Sequence, residues 1–266
     1  MTAINPARLK IQCAELSEHY SDPAQFIPRL HDLFGFYAAR IRQTSLSRTP
    51  LTLQSYQIPA PVQRALLIEL EEYLEEEPSQ GLNLVDALWK EEWVEFRQLA
   101  IICLGELAPF NPEQILDRIK IWLNSCNAEN IRRKIIAGGL THLVTRKPNI
   151  VLEFISDLIS SETKMNHQAA LFGLLTFAEN PDFDNLPVIF NLLAEILKKK
   201  EEGLVKEITA LLKILQKRSE QETAFFLERQ LTIAAKPRIF RLIRQVLSNF
   251  SAENQSFLRE ALKKQS

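Results

Sequence analysis

The chain has 266 residues with 32 basic and 33 acidic side chains, so its net charge is −1 with histidine neutral. Apolar residues make up 46 %, while glycine occurs 7 times and cysteine 3 times, at positions 13, 103 and 126. These figures exclude a uniformly basic groove, a glycine-rich phosphate loop, a Cys-x-x-Cys zinc knuckle and a disulfide framework. Few glycines among many Leu, Ile, Ala, Glu and Lys residues predict helices rather than hairpin-linked strands.

In chain order, residues 1–49 are expected to form a helical N-terminal cap. Charges at Arg8, Lys10, Glu15 and Glu18 break any leader-like apolar stretch. The longest strongly apolar run, Leu99 to Gly105, is far short of a membrane span. No membrane segment, reduced buried thiols and a cytoplasmic setting are therefore expected. Residues 58–91 read as a loose first unit of a series. Within it Glu71, Glu72, Glu75, Glu76 and Glu77 form a solvated helix end or a docking patch for a basic partner. Trp89, Trp93 and Trp122 sit at helical spacing and are expected in the core.

The rest of the chain repeats. A shift of 36 carries Arg97 onto Arg133, Leu99 onto Ile135, Leu104 onto Leu140 and Leu107 onto Leu143, and also Pro112 onto Pro148 and Ile119 onto Ile155. A further shift of 35 carries Gly138 onto Gly173. Apolar spacings of three and four mark amphipathic helices, and proline opens the second helix of each pair. Units are expected at about 92–126, 127–162, 163–200, 201–235 and 236–266, with Asn180–Asn185 as an inter-helix loop. The predicted fold is all-α, an α–α superhelix of ARM/HEAT-like repeats forming one solenoid over 50–266.

Charge is uneven along this series. Residues 1–91 carry net −4, residues 92–185 net −3 and residues 186–266 net +6. Arg238, Arg241 and Arg244 recur every third residue beside Phe240, with Lys236, Arg259, Phe250 and Phe257 nearby. They form either a solvated capping face or a grip on phosphate. Arg132, Arg133 and Lys134 begin a repeat helix, the unfavourable end for cations. They either pair with Glu129 or a neighbouring repeat, or serve a partner. Arg146 and Lys147 suit the end of that same helix. Lys198, Lys199 and Lys200 followed by Glu201 and Glu202 suit a helix C-terminus followed by an N-terminus. The four histidines, His19, His31, His142 and His167, have no ligand spacing and are expected in structural roles, with no metal and no cofactor.

Gln57-Ile-Pro-Ala-Pro-Val-Gln-Arg64, Leu88-Trp89 and Glu95-Phe96-Arg97-Gln98 resemble the DNA alkylation repair (alkylpurine DNA glycosylase) family. Ile58, Pro61, Arg64, Leu88, Trp89 and Glu95 match its spacing, with Gln57 where the family has glycine. The resemblance is strongest over 51–108. It implies an α-solenoid of HEAT-like repeats, with an aromatic- and Asp-containing active site on a basic concave face. The family's Trp-Trp-Asp segment would fall at Ser125–Arg133, which holds neither residue type. Glu129 is the carboxylate nearest to that station. A further arginine would fall near Gln168 and a second aromatic near Glu207–Leu211. With no catalytic residue matched, the first expectation is a non-catalytic scaffold taking a protein or extended ligand on its concave face. The alternative is a DNA-binding relative gripping phosphates with Arg132, Arg133, Arg238, Arg241 and Arg244. An active N-alkylpurine glycosylase is the third reading.

Overall fold

The computed structural model describes residues 4–41, 54–126, 128–199, 203–233 and 237–264. Lys200, Glu201, Glu202, Lys236, positions 1–3 and 42–49 of the expected cap, and positions 51–53 of the resembling stretch lie outside the described residues. Within them the chain is all-α, and no β-strand forms beyond an isolated parallel bridge between Gln54 and Trp93. No described helix is long and apolar enough to cross a membrane. The chain divides into two units, Met1–Leu143 and Val144–Ser266.

The first unit holds α1 (Pro6–Ser17), α2 (Pro23–Ile41), α3 (Ala60–Glu76), α4 (Pro78–Lys90), α5 (Val94–Leu107), α6 (Pro112–Ser125) and α7 (Glu129–Leu140). Asn5 starts α1 by accepting the backbone N–H groups of Ala7 and Arg8 at 3.0 and 3.2 Å. Pro112 opens α6, where its missing N–H costs nothing. Packing runs in two rows: α1, α3, α5 and α7 touch in succession, and so do α2 and α4. Helix α6 joins the second row through side chains. Trp89 and Trp122 stack at 4.1 Å, and Arg118 forks onto Asp86 at 2.9 and 2.8 Å. Because α5 has helices on several sides, it buries Phe96, Leu99, Ile101, Leu104 and Leu107 around most of its circumference. Each such side chain contributes about 2 kcal/mol. At Gly105 the first row closes to backbone contact. A Cβ there would strike the Gly138 carbonyl oxygen, so the absent side chain sets the spacing between α5 and α7.

The second unit begins with a single turn, α8 (Leu143–Arg146, whose first residue closes the first unit), then α9 (Pro148–Ser160), α10 (Lys164–Glu179) and α11 (Leu186–Lys198). It continues with α12 (Val205–Arg218), α13 (Glu220–Ile233), α14 (Pro237–Val246), a 3-10 turn (Leu247–Asn249) and α15 (Ala252–Lys264). Here α10, α12 and α14 form one row. In the other, α9 meets α11 and α13 meets α15, while Phe190 and Phe226 join α11 to α13 with rings 5.0 Å apart. The expected loop at Asn180–Asn185 separates α10 from α11. Arg218 fastens it by donating to the carbonyls of Asn180 and Phe183 at 2.9 and 2.7 Å. All three cysteines are free and buried, and burial pushes the thiols of Cys13 and Cys103 up to about 11 and about 12.

One helix departs from the sequence reading. The helix begun near Arg132 does not run on to Arg146 and Lys147. It stops at Leu140, and Arg146 closes the separate turn α8. Gly138 and Gly139 weaken the helix there, and the Thr141 hydroxyl bonds the Ala137 carbonyl, competing with the backbone ladder.

Candidate functional site

The sequence of α14 dictates what it shows to solvent. Ile239, Leu242, Ile243 and Val246 recur at spacings of three, one and three and are buried, which turns Arg241, Arg244 and Gln245 outward. Pro237, Phe240, Arg241, Arg244 and Gln245 line a shallow depression of about 590 Å³. Phe240 is half-buried and gives it an aromatic wall, while both guanidinium groups are exposed. Neither Arg241 nor Arg244 has an ion-pair partner among the described residues. The arrangement offers two forked donors beside a ring, which suits a phosphate backbone with an adjoining planar group.

Arg238 is used differently. Its Nη1 donates to the Lys199 carbonyl at 3.0 Å, at the C-terminal end of α11, where a cation meets the negative end of the helix dipole. In the first unit Arg132 repeats this arrangement, donating from Nη1 to the Cys126 carbonyl at 3.2 Å beyond α6. Arg133 and Lys134 are exposed on α7, as is Glu129 in its first turn. Within the second unit, then, Arg241 and Arg244 share one surface while Arg238 turns inward. Within the first, Arg133 faces solvent and Arg132 fastens a helix end.

Two groupings were not visible in the sequence. Gln168 on α10 donates from Nε2 to Oε1 of Glu207 on α12 at 2.6 Å, and both side chains are buried. These are the stations where the resemblance expects an arginine and an aromatic; they instead hold a polar pair turned towards each other. The other grouping joins α2, residues 54–59 and the α4–α5 junction. His31 lies between the Tyr56 hydroxyl at 2.8 Å and Glu91 Oε2 at 3.1 Å, stacked 4.3 Å from Phe96. The tautomer protonated at Nε2 satisfies both, with Tyr56 donating to Nδ1. Tyr56 also stacks on Trp93 at 3.8 Å. Burial, with Glu95, Asp32 and Glu91 nearby, pushes its phenol up. The sequence signal for both was weak: a polar residue on an otherwise apolar helix face, with its partner 39 or 60 residues away.

Gln57 adopts φ 55°, the left-handed region, and donates its backbone N–H to Glu95 Oε1 at 2.8 Å. Glycine reaches that conformation without strain, which accounts physically for the glycine of the resembled pattern. Glu95 Oε1 also accepts from the Ser55 hydroxyl at 2.7 Å. Trp89 and Trp122 are buried against each other and Trp93 is half-covered by Tyr56, so these rings pack internally rather than stand as free platforms. The acids Glu71, Glu72, Glu75, Glu76 and Glu77 are all exposed. Among the described residues no three His, Cys, Asp or Glu side chains come together as a metal ligand set. The family model described as DNA alkylation repair enzyme matches residues 50–264. No curated protein and no solved structure matches the chain.

Proposed function

The chain belongs to the DNA alkylation repair enzyme family, and from that premise we propose that it grips the phosphate backbone of DNA through α14 without excising bases. One observation carries the reading: Arg241 and Arg244 stand exposed, one turn apart, beside Phe240 and without an acidic partner among the described residues. The absence of excision is supported by the stations the resemblance assigns to chemistry. Glu129 is exposed to solvent, and Gln168 and Glu207 bond each other. Stabilising an oxocarbenium-like centre calls for a carboxylate aimed into a walled site. The proposal includes a HEAT-like solenoid as the scaffold, supported by the two-row packing within each unit. It also places the protein in the cytoplasm, where three free thiols stay reduced.

The test is fluorescence anisotropy with duplex DNA over a range of salt. Wild-type affinity falls steeply with salt, and Arg241→Ala/Arg244→Ala lowers the magnitude of the log–log slope by about 2 while leaving thermal unfolding unchanged. Arg238→Ala lowers stability and leaves the slope nearly intact. Absence of binding at low salt, or a slope indifferent to the double substitution, overturns the DNA reading. Release of N-alkylated purines by the wild type above the spontaneous rate overturns the non-catalytic half.

A further inference from the structure

Helix α13 carries a stripe that the described residues of its unit leave largely open. Glu222, Phe225, Arg229 and Ile233 follow at spacings of three, four and four, so they share one helix face. All four are exposed, Phe225 to 54 % and Ile233 to 60 %. The opposite face buries Thr223, Ala224, Leu227 and Leu231. Alongside, Phe190 and Ala194 of α11 complete a groove of about 550 Å³. Phe225 lines this groove and rests edge-on against Phe257 of α15, with ring centroids 5.4 Å apart. Phe225 and Ile233, exposed on one face with Arg229 between them, give the groove an apolar margin open to a partner.

The order of charges along the stripe identifies the occupant. An acid lies three residues before Phe225 and a base four residues after it. Neither Glu222 nor Arg229 has an ion-pair partner among the described residues. A two-fold axis between positions 225 and 226 exchanges position 222 with position 229. We infer that this groove binds a second copy of the chain, with α13 packed antiparallel on α13, so that each Glu222 meets Arg229 of the partner subunit and the two Phe225 rings meet near the axis. Seven residues of helix span about 10 Å, so the two ion pairs flank the aromatic centre as a polar rim. A parallel alignment sets Glu222 against its own copy, and repulsion disfavours it. The neighbouring Lys198 is already held by Glu195 at 2.6 Å and takes no part.

Sedimentation velocity on the full chain, from about 1 μM to about 300 μM, reads the association directly. Wild type shows a concentration-dependent dimer. Glu222→Arg or Arg229→Glu alone weakens it about tenfold or more, because like charges then face each other. The combination Glu222→Arg/Arg229→Glu restores affinity to near wild type, since opposite charges face again. Phe225→Ser abolishes the dimer, with circular dichroism showing retained helix content. A monomer at every concentration leaves the groove to some other partner and overturns the inference. So does a dimer that survives Phe225→Ser, or a combined variant weaker than either single one.

Discussion

Glu95 in the first unit and Glu207 in the second stand at matching stations, in the first turn of α5 and of α12. Both are buried, and each has one carboxylate oxygen bonded while Oε2 has no hydrogen-bond partner among the described residues. Their partners differ. Glu95 holds the backbone N–H of Gln57 and the Ser55 hydroxyl, both on the segment leading into α3. Glu207 holds the side-chain amide of Gln168 on the adjacent helix. A carboxylate that accepts from main chain holds a donor that no substitution at Gln57 other than proline removes. One fastened to a side chain belongs to a pair that can change together.

The sharpest way to break this comparison is truncation. Glu95→Ala removes the acceptor of the Ser55 hydroxyl and leaves the Gln57 N–H only the Ser55 Oγ at 3.1 Å, and it lowers unfolding free energy by about 2 kcal/mol in urea titration. An equal loss in Glu207→Ala would erase the distinction. The expected cost at Glu207 is smaller, about 1 kcal/mol, because one hydrogen bond is lost there rather than two. A double-mutant cycle with Gln168→Ala returns a coupling of about 1 kcal/mol, and Glu207→Gln, which lets an amide pair form, is close to neutral. The smallest effect sharpens the first-unit side alone. Gln57→Gly relieves the left-handed backbone above the Glu95 bond and raises stability by about 0.5 kcal/mol, read as a modest rise in melting temperature.

What the sequence made legible was what periodicity and punctuation carry. The all-α class, the helices opening at Pro112 and Pro148, the loop at Asn180–Asn185, the buried cysteines and the inward Trp89 and Trp122 could all be read from spacing. Cross-helix partners could not. The three-residue recurrence of Arg238, Arg241 and Arg244 suggested one shared face. Yet a long side chain near a neighbouring helix end bends towards free carbonyls, and Arg238 takes that of Lys199. Arg132 does the same at Cys126. Periodicity says which way a helix turns its apolar side, not which carbonyl or amide lies within reach of a polar head. The break after Leu140 was missed because the apolar pattern continues through Leu143 and Val144, while the interruption comes from Gly138, Gly139 and Thr141.

The two-row packing has a consequence for how the chain folds. Hydrogen bonds between neighbouring layers, Asp86 with Arg118, Thr209 with Gln245 and Gln168 with Glu207, close separations of 32, 36 and 39 residues. Closing such short loops costs little entropy. Each unit can therefore nucleate at its most buried helix, α5 or α10, and grow outward in both directions. Exposed ends such as α15 then exchange their amide hydrogens long before α10 does.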